Sequence, residues 1–340
     1  MKDLSFLEKL LFSINSIIAV FLLLSYITPF IEPESFALLS VLSLAVPFLI
    51  IANVLFLIFW LLKVKKQLLL SLFVLLIGYT YVASFYKFSS SKNVDDDSNI
   101  SIMNYNVRLF NLYNWIQEDG VQTKITDFIN KEEPDIISFQ EYNPHDSIFL
   151  PNYSYKFEEL SGKRTKYGQA IYSKFPIVQS GSFEFPNTGN NAIYADIVKD
   201  LDTIRVYNVH LQSAGISAEV ESLSNENSQR LVSRIASTFK TQQSQAETFV
   251  AHKQSSPYKL IVCGDFNNTA YSYVYKLIKG DLIDTFEEAG NGFGRTYNLK
   301  YFPLRIDFIL ADQSFEVNHF KTYDVELSDH YPILSKVRLR

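Results

Sequence analysis

The first quarter of the chain holds three runs without one charged residue, 10–31, 36–62 and 67–86. Each reaches the roughly 20 residues that a helix needs to cross about 30 Å of hydrocarbon. Helices buried in a soluble core would be shorter or would carry a polar stripe, so the runs predict three transmembrane helices. A cleaved signal peptide fits poorly, because two more apolar runs follow the first and no small-residue cleavage site separates them. Lys2 and Lys9 precede the first run, and Lys63, Lys65 and Lys66 lie between the second and third. The first connection carries Glu32 and Glu34 and no base. Basic excess marks the cytoplasmic side, which predicts an integral membrane protein of the bacterial inner or plasma membrane type. Its N-terminus is then cytoplasmic, and the remainder is extracytoplasmic after three crossings. Lys87 and Lys92 weigh the other way, two lysines against five.

Composition changes sharply after this anchor (1–87). Residues 88–99 are polar, charged and aperiodic, and read as a linker; a soluble domain is expected over 100–340. About 240 residues suffice for an independent core. The single cysteine, Cys263, excludes an intramolecular disulfide. From Lys87 onward there are 26 basic and 32 acidic residues, a net charge of −6, and no basic cluster exceeds two residues. Proteins that hold duplex DNA by neutralising phosphates are usually far more basic, so nucleic acid is a disfavoured partner.

Within the domain, polar residues recur at the ends of apolar strands. Residues 260–263 read as a buried strand, broken by Gly264, with Asp265 and Asn267 two residues apart and so on one side of an extended chain. A strand at 101–107 carries Asn106 at its end. A helix over 121–129, stopped by Pro134, leads to a strand at 135–139 that ends in Gln140-Glu141. Short strands at 170–173 and 177–180 flank Pro176, and 192–198 with 203–211 form a hairpin whose return strand carries His210. A long polar helix over 227–252 turns Leu231, Ile235 and Phe239 inward, and a short helix covers 273–278. Strands at 306–311 and 333–339 follow, the first containing Asp307 and the second preceded by Asp329-His330. A charged Asp307 inside an apolar strand is costly without a partner. These alternations predict an α/β, four-layer sandwich: two packed mixed β-sheets flanked by helices. Each polar residue alone reads equally well as a turn, a cap or a half-buried strand residue. Their recurrence points to one shared site.

In order, Asn104-Tyr105-Asn106-Val107, Ser138-Phe139-Gln140-Glu141, Asn208-Val209-His210-Leu211, Gly264-Asp265-Phe266-Asn267, Arg305-Ile306-Asp307-Phe308 and Ser328-Asp329-His330-Tyr331-Pro332 resemble the motifs of the endonuclease/exonuclease/phosphatase superfamily. That superfamily includes pancreatic deoxyribonuclease, apurinic endonucleases, inositol polyphosphate 5-phosphatases and bacterial sphingomyelinases. The resemblance covers 100–340 and implies a metal-dependent phosphoric ester hydrolase. It implies that Glu141 holds a divalent cation, Mg²⁺ with Mn²⁺ as the alternative, with Asn106 and Asp329 close to the metal or its waters. It further implies that Asp265 orients or deprotonates the attacking water and that Asn267 positions it. His330, paired with Asp307, and His210 would hydrogen-bond the phosphoryl oxygens. The residue types agree: Mg²⁺ favours few carboxylates and many waters, whereas zinc wants Cys or clustered His. Near the Gly-x-Ala-Ile stretch, residues 164–171 offer no carboxylate to pair with His210, which looks more like the phosphatase and sphingomyelinase branches than the nucleases. The polar loop 212–228 either overhangs the site or is a solvated insertion. The expected function is hydrolysis of a small or lipid-linked phosphoester at the bilayer. The alternatives are a membrane-anchored nuclease and a non-catalytic binding protein of the same fold.

Overall fold

The computed structural model describes residues 4–340 apart from 89–90, 93, 163–164, 187, 216–226 and 300–301. The apolar N-terminal quarter forms α1 (Phe6–Ser25), α2 (Pro33–Ser40), α3 (Val46–Leu62), α4 (Leu68–Ile77) and α5 (Tyr79–Phe85). Two segments are long and apolar enough to cross a membrane, Phe6–Phe30 and Pro33–Leu62. The expected single helix over 67–86 is instead broken at Gly78 into α4 and α5, bent by 82°. Close packing favours a bare backbone there, because a Cβ on Gly78 would lie 2.0 Å from the Tyr26 ring. Buried polar side chains join these N-terminal helices. Asn15 donates to Ser71 Oγ at 2.8 Å and accepts from Trp60 Nε1 at 3.0 Å, all three fully buried.

Two six-stranded mixed sheets follow. The first contains β1 (Ile100–Asn106), β2 (Ile136–Tyr142), β3 (Tyr155–Ser161), β4 (Tyr167–Ser173), β13 (Phe315–Thr322) and β14 (Ile333–Leu339), in the order β13-β14-β1-β2-β4-β3. The second contains β5 (Ile177–Glu184), β6 (Asn191–Lys199), β7 (Asp202–His210), β8 (Lys259–Asp265), β9 (Ile283–Asp284) and β12 (Asp307–Ala311), in the order β5-β6-β7-β8-β12-β9. A separate hairpin pairs β10 (Tyr297–Leu299) with β11 (Phe302–Leu304). Helix α6 (Val121–Glu132) packs its Val121, Ile125 and Ile129 on the outer face of the first sheet. The outer face of the second is covered by α7 (Ser228–Gln254), capped by the Asn227 side chain, and by α8 (Tyr273–Lys279); α9 (Thr285–Ala289) flanks β12 and β13. The strands flanking Pro176, β4 and β5, belong to different sheets, so the turn there is where the chain changes layer.

Among the described residues, only β1–β2 and β7–β8 are parallel. Their inward positions, alternating as strands require, fill the layer between the sheets with Ile100, Ile102, Ile136, Ile204, Val206, Ile261 and Cys263. Moving toward the strands' C-terminal ends, the same inward rows become polar. Asn104 and Asn106 follow Ile102, Ser138 and Gln140 follow Ile136, Asn208 and His210 follow Val206, and Asp265 follows Cys263. β12 runs antiparallel to β8, so its first residue, Asp307, pairs in register with Asp265 at that same end. Gly264 does not break the strand, as its residue type suggested, but lies inside β8. A Cβ there would stand 2.0 Å from Val209 O, so glycine is what lets β7 and β8 close together.

Two further departures concern the joins. The polar stretch 88–99 is no free tether where described: Lys92 N bonds Asn318 O at 2.8 Å and Ser91 Oγ meets His319 Nδ1 at 2.9 Å. The apolar N-terminal helices also pack directly on the domain. Thr28 Oγ1 donates to Tyr271 O at 3.0 Å, Thr269 Oγ1 to Ser43 O at 3.2 Å, and Ser84 Oγ to Glu287 at 2.6 Å.

Candidate active site

The polar ends of the inward rows converge on Asp265. Its Oδ2 accepts from Asn106 Nδ2 at 3.0 Å and Asn267 Nδ2 at 3.2 Å. The same atom lies 3.7 Å from His330 Nε2 and 3.8 Å from His210 Nε2. Its Oδ1 accepts from the Asn267 backbone N–H at 2.8 Å. Asn267 reaches this position because the strand ends and the chain turns left-handed there (φ 49°), a conformation Asn tolerates. A continued strand, the simpler expectation, is not what aligns the two residues. His330 Nδ1 contacts Asp307 Oδ2 at 2.9 Å, so the sequence pair forms a real dyad. Asp265, Asp307 and His330 together offer ligand-type atoms within 4.8 Å of one another.

Glu141 stands at the edge of this group. By alternation it should face away from Gln140, but β2 is irregular against β4 between Phe139 and Tyr142, and Glu141 has φ 49°. The irregularity re-aims the carboxylate toward Asn106, whose Nδ2 is 3.4 Å from Oε1. No ion pair reaches Glu141 among the described residues. Asp329 lies on the segment before β14, its Oδ1 3.3 Å from Ser328 Oγ and its Oδ2 3.3 Å from Arg108 Nη1. All eight residues singled out from the sequence are therefore at the same end of the sandwich. The loop 212–228 lies outside the described residues over 216–226. Its described start is held by Gln242 and Gln245 of α7, which bond Gln212 O at 2.7 Å and Gln212 N at 2.9 Å.

Burial sets the protonation states. Asp265 and Asp307 are each 1% exposed. Burial pushes the Asp265 carboxyl up to about 6, with His330 opposing and Asp307 adding to the rise. Burial also raises Glu141, Asp329 adding to it and His330 opposing. For His330 burial alone would lower the imidazole, but Asp307 and Asp265 outweigh it and hold the ring well above its ordinary value. His210 is lowered by burial, which Asp265 only partly offsets. One imidazole is thus held charged and the other neutral at pH 7. Burial raises the Cys263 thiol, one inward position below Asp265, so it stays protonated and is no nucleophile.

Several residues at the site carry no signal in the sequence. Arg108 pairs with Asp329, donates its backbone N–H to Asn106 Oδ1 at 3.1 Å and stacks 4.5 Å over Trp115. Residues 108–111 all have positive φ, an irregular turn that no periodicity reveals. The Tyr297 ring meets His330 edge-on at 5.0 Å, and Thr296 Oγ1 accepts from the Asp307 N–H at 3.1 Å. Beneath them, Gln140 Nε2 donates to Asn104 and Asn208 at 2.8 and 2.6 Å, tying the two sheets together.

Two face-to-face mixed sheets with Asn, Glu, His and Asp side chains gathered at the strand ends define a phosphoesterase-type sandwich. The chain belongs to the Endonuclease/Exonuclease/phosphatase family, whose profile matches residues 103–330; residues 8–85 match a domain of unknown function (DUF8431). Members of the family are phosphoester hydrolases, typically dependent on divalent metal. No curated protein matches the chain. Among solved structures, an endonuclease/exonuclease/phosphatase from Bacteroides vulgatus is 19% identical, covering 72% of this chain and 100% of its own at a TM-score of 0.56. A Bacteroides thetaiotaomicron mannosyl-6-phosphatase is 21% identical over 70% of this chain and 99% of its own, TM-score 0.52. The human Nocturnin catalytic domain, with a bound sulfate anion, is 16% identical over 72% and 94%, TM-score 0.53. At these identities the likeness is one of fold.

Proposed function

We propose that the protein is a membrane-anchored, Mg²⁺-dependent phosphoesterase that cleaves a small or lipid-linked phosphoester with water activated at Asp265. The observation that carries this reading is the convergence of Asn106, Asn267, His210 and His330 on one buried carboxylate at the end of two sheets. Glu141, with Asn106 and Asp329 beside it, would hold the metal. Glu141 and Asp329 present carboxylate oxygens, which Mg²⁺ prefers, Asn106 Nδ2 steadies Glu141 Oε1 at 3.4 Å, and Glu141 is raised by burial with no ion pair among the described residues. The tighter group of Asp265, Asp307 and His330 suits a cation less, because an imidazolium already sits between its two carboxylates. When bound, the metal would neutralise charge developing on the phosphoryl oxygens.

The chain's own groups supply the rest. Asp265, raised to about 6, is ionised at neutral pH yet basic enough to accept or orient a water proton. Asn267 holds that carboxylate through its N–H and amide. The charged His330, fixed by Asp307, and the neutral His210 face the same point and can each donate to a phosphoryl oxygen. The net negative domain argues against a nucleic acid substrate, whereas the similarity in fold to a mannosyl-6-phosphatase agrees with a small phosphoester.

The anchor, taken as residues 1–87, supplies the membrane. Residues 28, 43 and 48 and α5 all lie against the catalytic domain, while Lys63–Lys66 sit at the opposite end of α3. That arrangement agrees with three passes, through α1, α3 and the bent α4–α5 pair taken together, with the lysine turn cytoplasmic and the domain outside. The test is a hydrolysis panel on the full chain in detergent: a phosphomonoester, a simple phosphodiester, a sphingomyelin-like lipid and plasmid DNA, each with Mg²⁺ and with chelator. Chelator-sensitive turnover of a non-nucleic phosphoester is expected. Inactivity on all four, or activity on DNA alone, would sink the proposal.

A further inference from the structure

Beside the site, a groove of about 610 Å³ joins the anchor to the catalytic domain. Its walls are Ile51 of α3, Phe293, Phe302, Pro303, Tyr323 and Tyr331, with Arg295 and Asp324 at the polar margin. The volume lies in the range of sites that take small organic ligands. Two features tie it to the catalytic residues. Tyr331 follows His330 directly, and its N–H bonds Thr296 O at 2.8 Å. The β10–β11 hairpin, which contributes Phe302 and Pro303, touches the site with its other strand. Tyr297 packs on His330, and Asn298 N bonds Asp329 O at 2.8 Å. On the anchor side the hairpin is seated on α3, Phe302 meeting Phe48 at 4.4 Å.

Depth decides what can occupy the groove. Ile51 is twelve residues from Lys63 along α3, about 18 Å at 1.5 Å per residue. That is well short of the roughly 30 Å of hydrocarbon that the same helix would cross. With the lysine turn at one face of the bilayer, the Ile51 end of the groove would lie toward the other face, where acyl chains meet headgroups and the exposed Asp324 carboxylate can stay in water. An apolar cleft open there favours hydrocarbon over water, and Tyr331 on its wall adjoins His330 in sequence. We propose that this groove receives the hydrocarbon chain of a membrane lipid, so that the substrate is a lipid phosphoester drawn sideways from the bilayer; the inference rests on the phosphoesterase reading. Arg295, stacked 4.2 Å over the Tyr331 ring and paired with Asp324 at 3.1 Å, stands where the apolar walls give way to the polar margin.

The experiment uses the full chain in mixed micelles, with alkyl phosphates and alkyl p-nitrophenyl phosphates carrying chains of two, eight or sixteen carbons. Each buried methylene favours binding roughly three- to fourfold. In the parent, kcat/KM should therefore rise at least about tenfold from the shortest chain to the longest. Partition into micelles also favours long chains, but it is the same for every variant. Ile51→Trp and Thr322→Phe fill the groove from the anchor side and from the β13 side, so each should cut the long-to-short ratio by at least about fivefold, through KM. A parental ratio in both variants, or no dependence on chain length, would overturn the inference while hydrolysis stands, and would give the groove to another occupant. Absence of turnover on every compound would remove the phosphoesterase reading and this inference with it.

Discussion

Asp265 is the proposed base, and its surroundings say what its loss should do. Asp265→Asn keeps the shape and removes the basicity. Its Oδ2 faces the amide donors of Asn106 and Asn267, so an amide nitrogen there would meet two donors, while the penalty for a buried charge disappears. The variant should fold, with a melting temperature within a few degrees of the parent, and turnover should fall at least about a hundredfold. A folded variant that keeps more than about a tenth of parental turnover would make Asp265 structural. Asp307 acts through His330. Since Asp307 is the leading group that raises the imidazole against burial, Asp307→Asn should lower that titration. The alkaline limb of the pH–rate profile then moves to lower pH, because His330 loses its proton earlier. An unmoved alkaline limb would uncouple the dyad from catalysis. These residues were legible in the sequence because each lies at or beside one end of an apolar strand. Arg108 and Tyr297 were not: one sits in a left-handed turn and the other in a hairpin whose pairing with the His330 segment is non-local.

Among the elements, the β7–β8 pair does most to place the site, since its register sets His210 opposite Asp265. Gly264→Ala would put a methyl 2.0 Å from Val209 O, and both neighbours are backbone with nowhere to move. The pair must separate, at a cost of about 2–4 kcal/mol. In a domain of this size that lowers the melting temperature by roughly 5–10 °C, and activity should drop beyond what the stability loss explains. Unchanged thermal unfolding would mean that the strands are not so tightly closed. The central strands were readable because both of their faces are buried. β3 was not, since its residues are only half-buried or exposed and give no alternation. β10–β11 and β13 were missed as well, the hairpin for its brevity and β13 because polar Asn318 interrupts its pattern. The third apolar run had the composition of one helix, but Gly78 under the Tyr26 ring breaks it, a contact composition cannot report.

For the molecule as a whole, the apolar N-terminal helices pack on the domain close to the candidate site. Asn267, at the site, is two residues from Thr269, which bonds Ser43 of the anchor, and four from Tyr271, which bonds Thr28. The three passes proposed, with the lysines inside, would place the domain outside, so a C-terminal alkaline phosphatase fusion should be active and a fluorescent-protein fusion dark; the opposite pattern would reverse the topology. None of the anchor–domain contacts could be inferred from sequence, because they join segments more than 200 residues apart. What the whole account depends on is a metal held at Glu141 beside the buried Asp265. The direct measurement is the Mg²⁺ activation curve of the full chain against that of Glu141→Gln, which keeps the shape of the side chain and removes its charge. Loss of the firmest anionic ligand should raise the half-activating Mg²⁺ concentration at least about tenfold, in line with what disturbing a metal's ligand sphere costs, and lower activity at fixed metal. Superimposable curves would place the metal elsewhere and contradict the account.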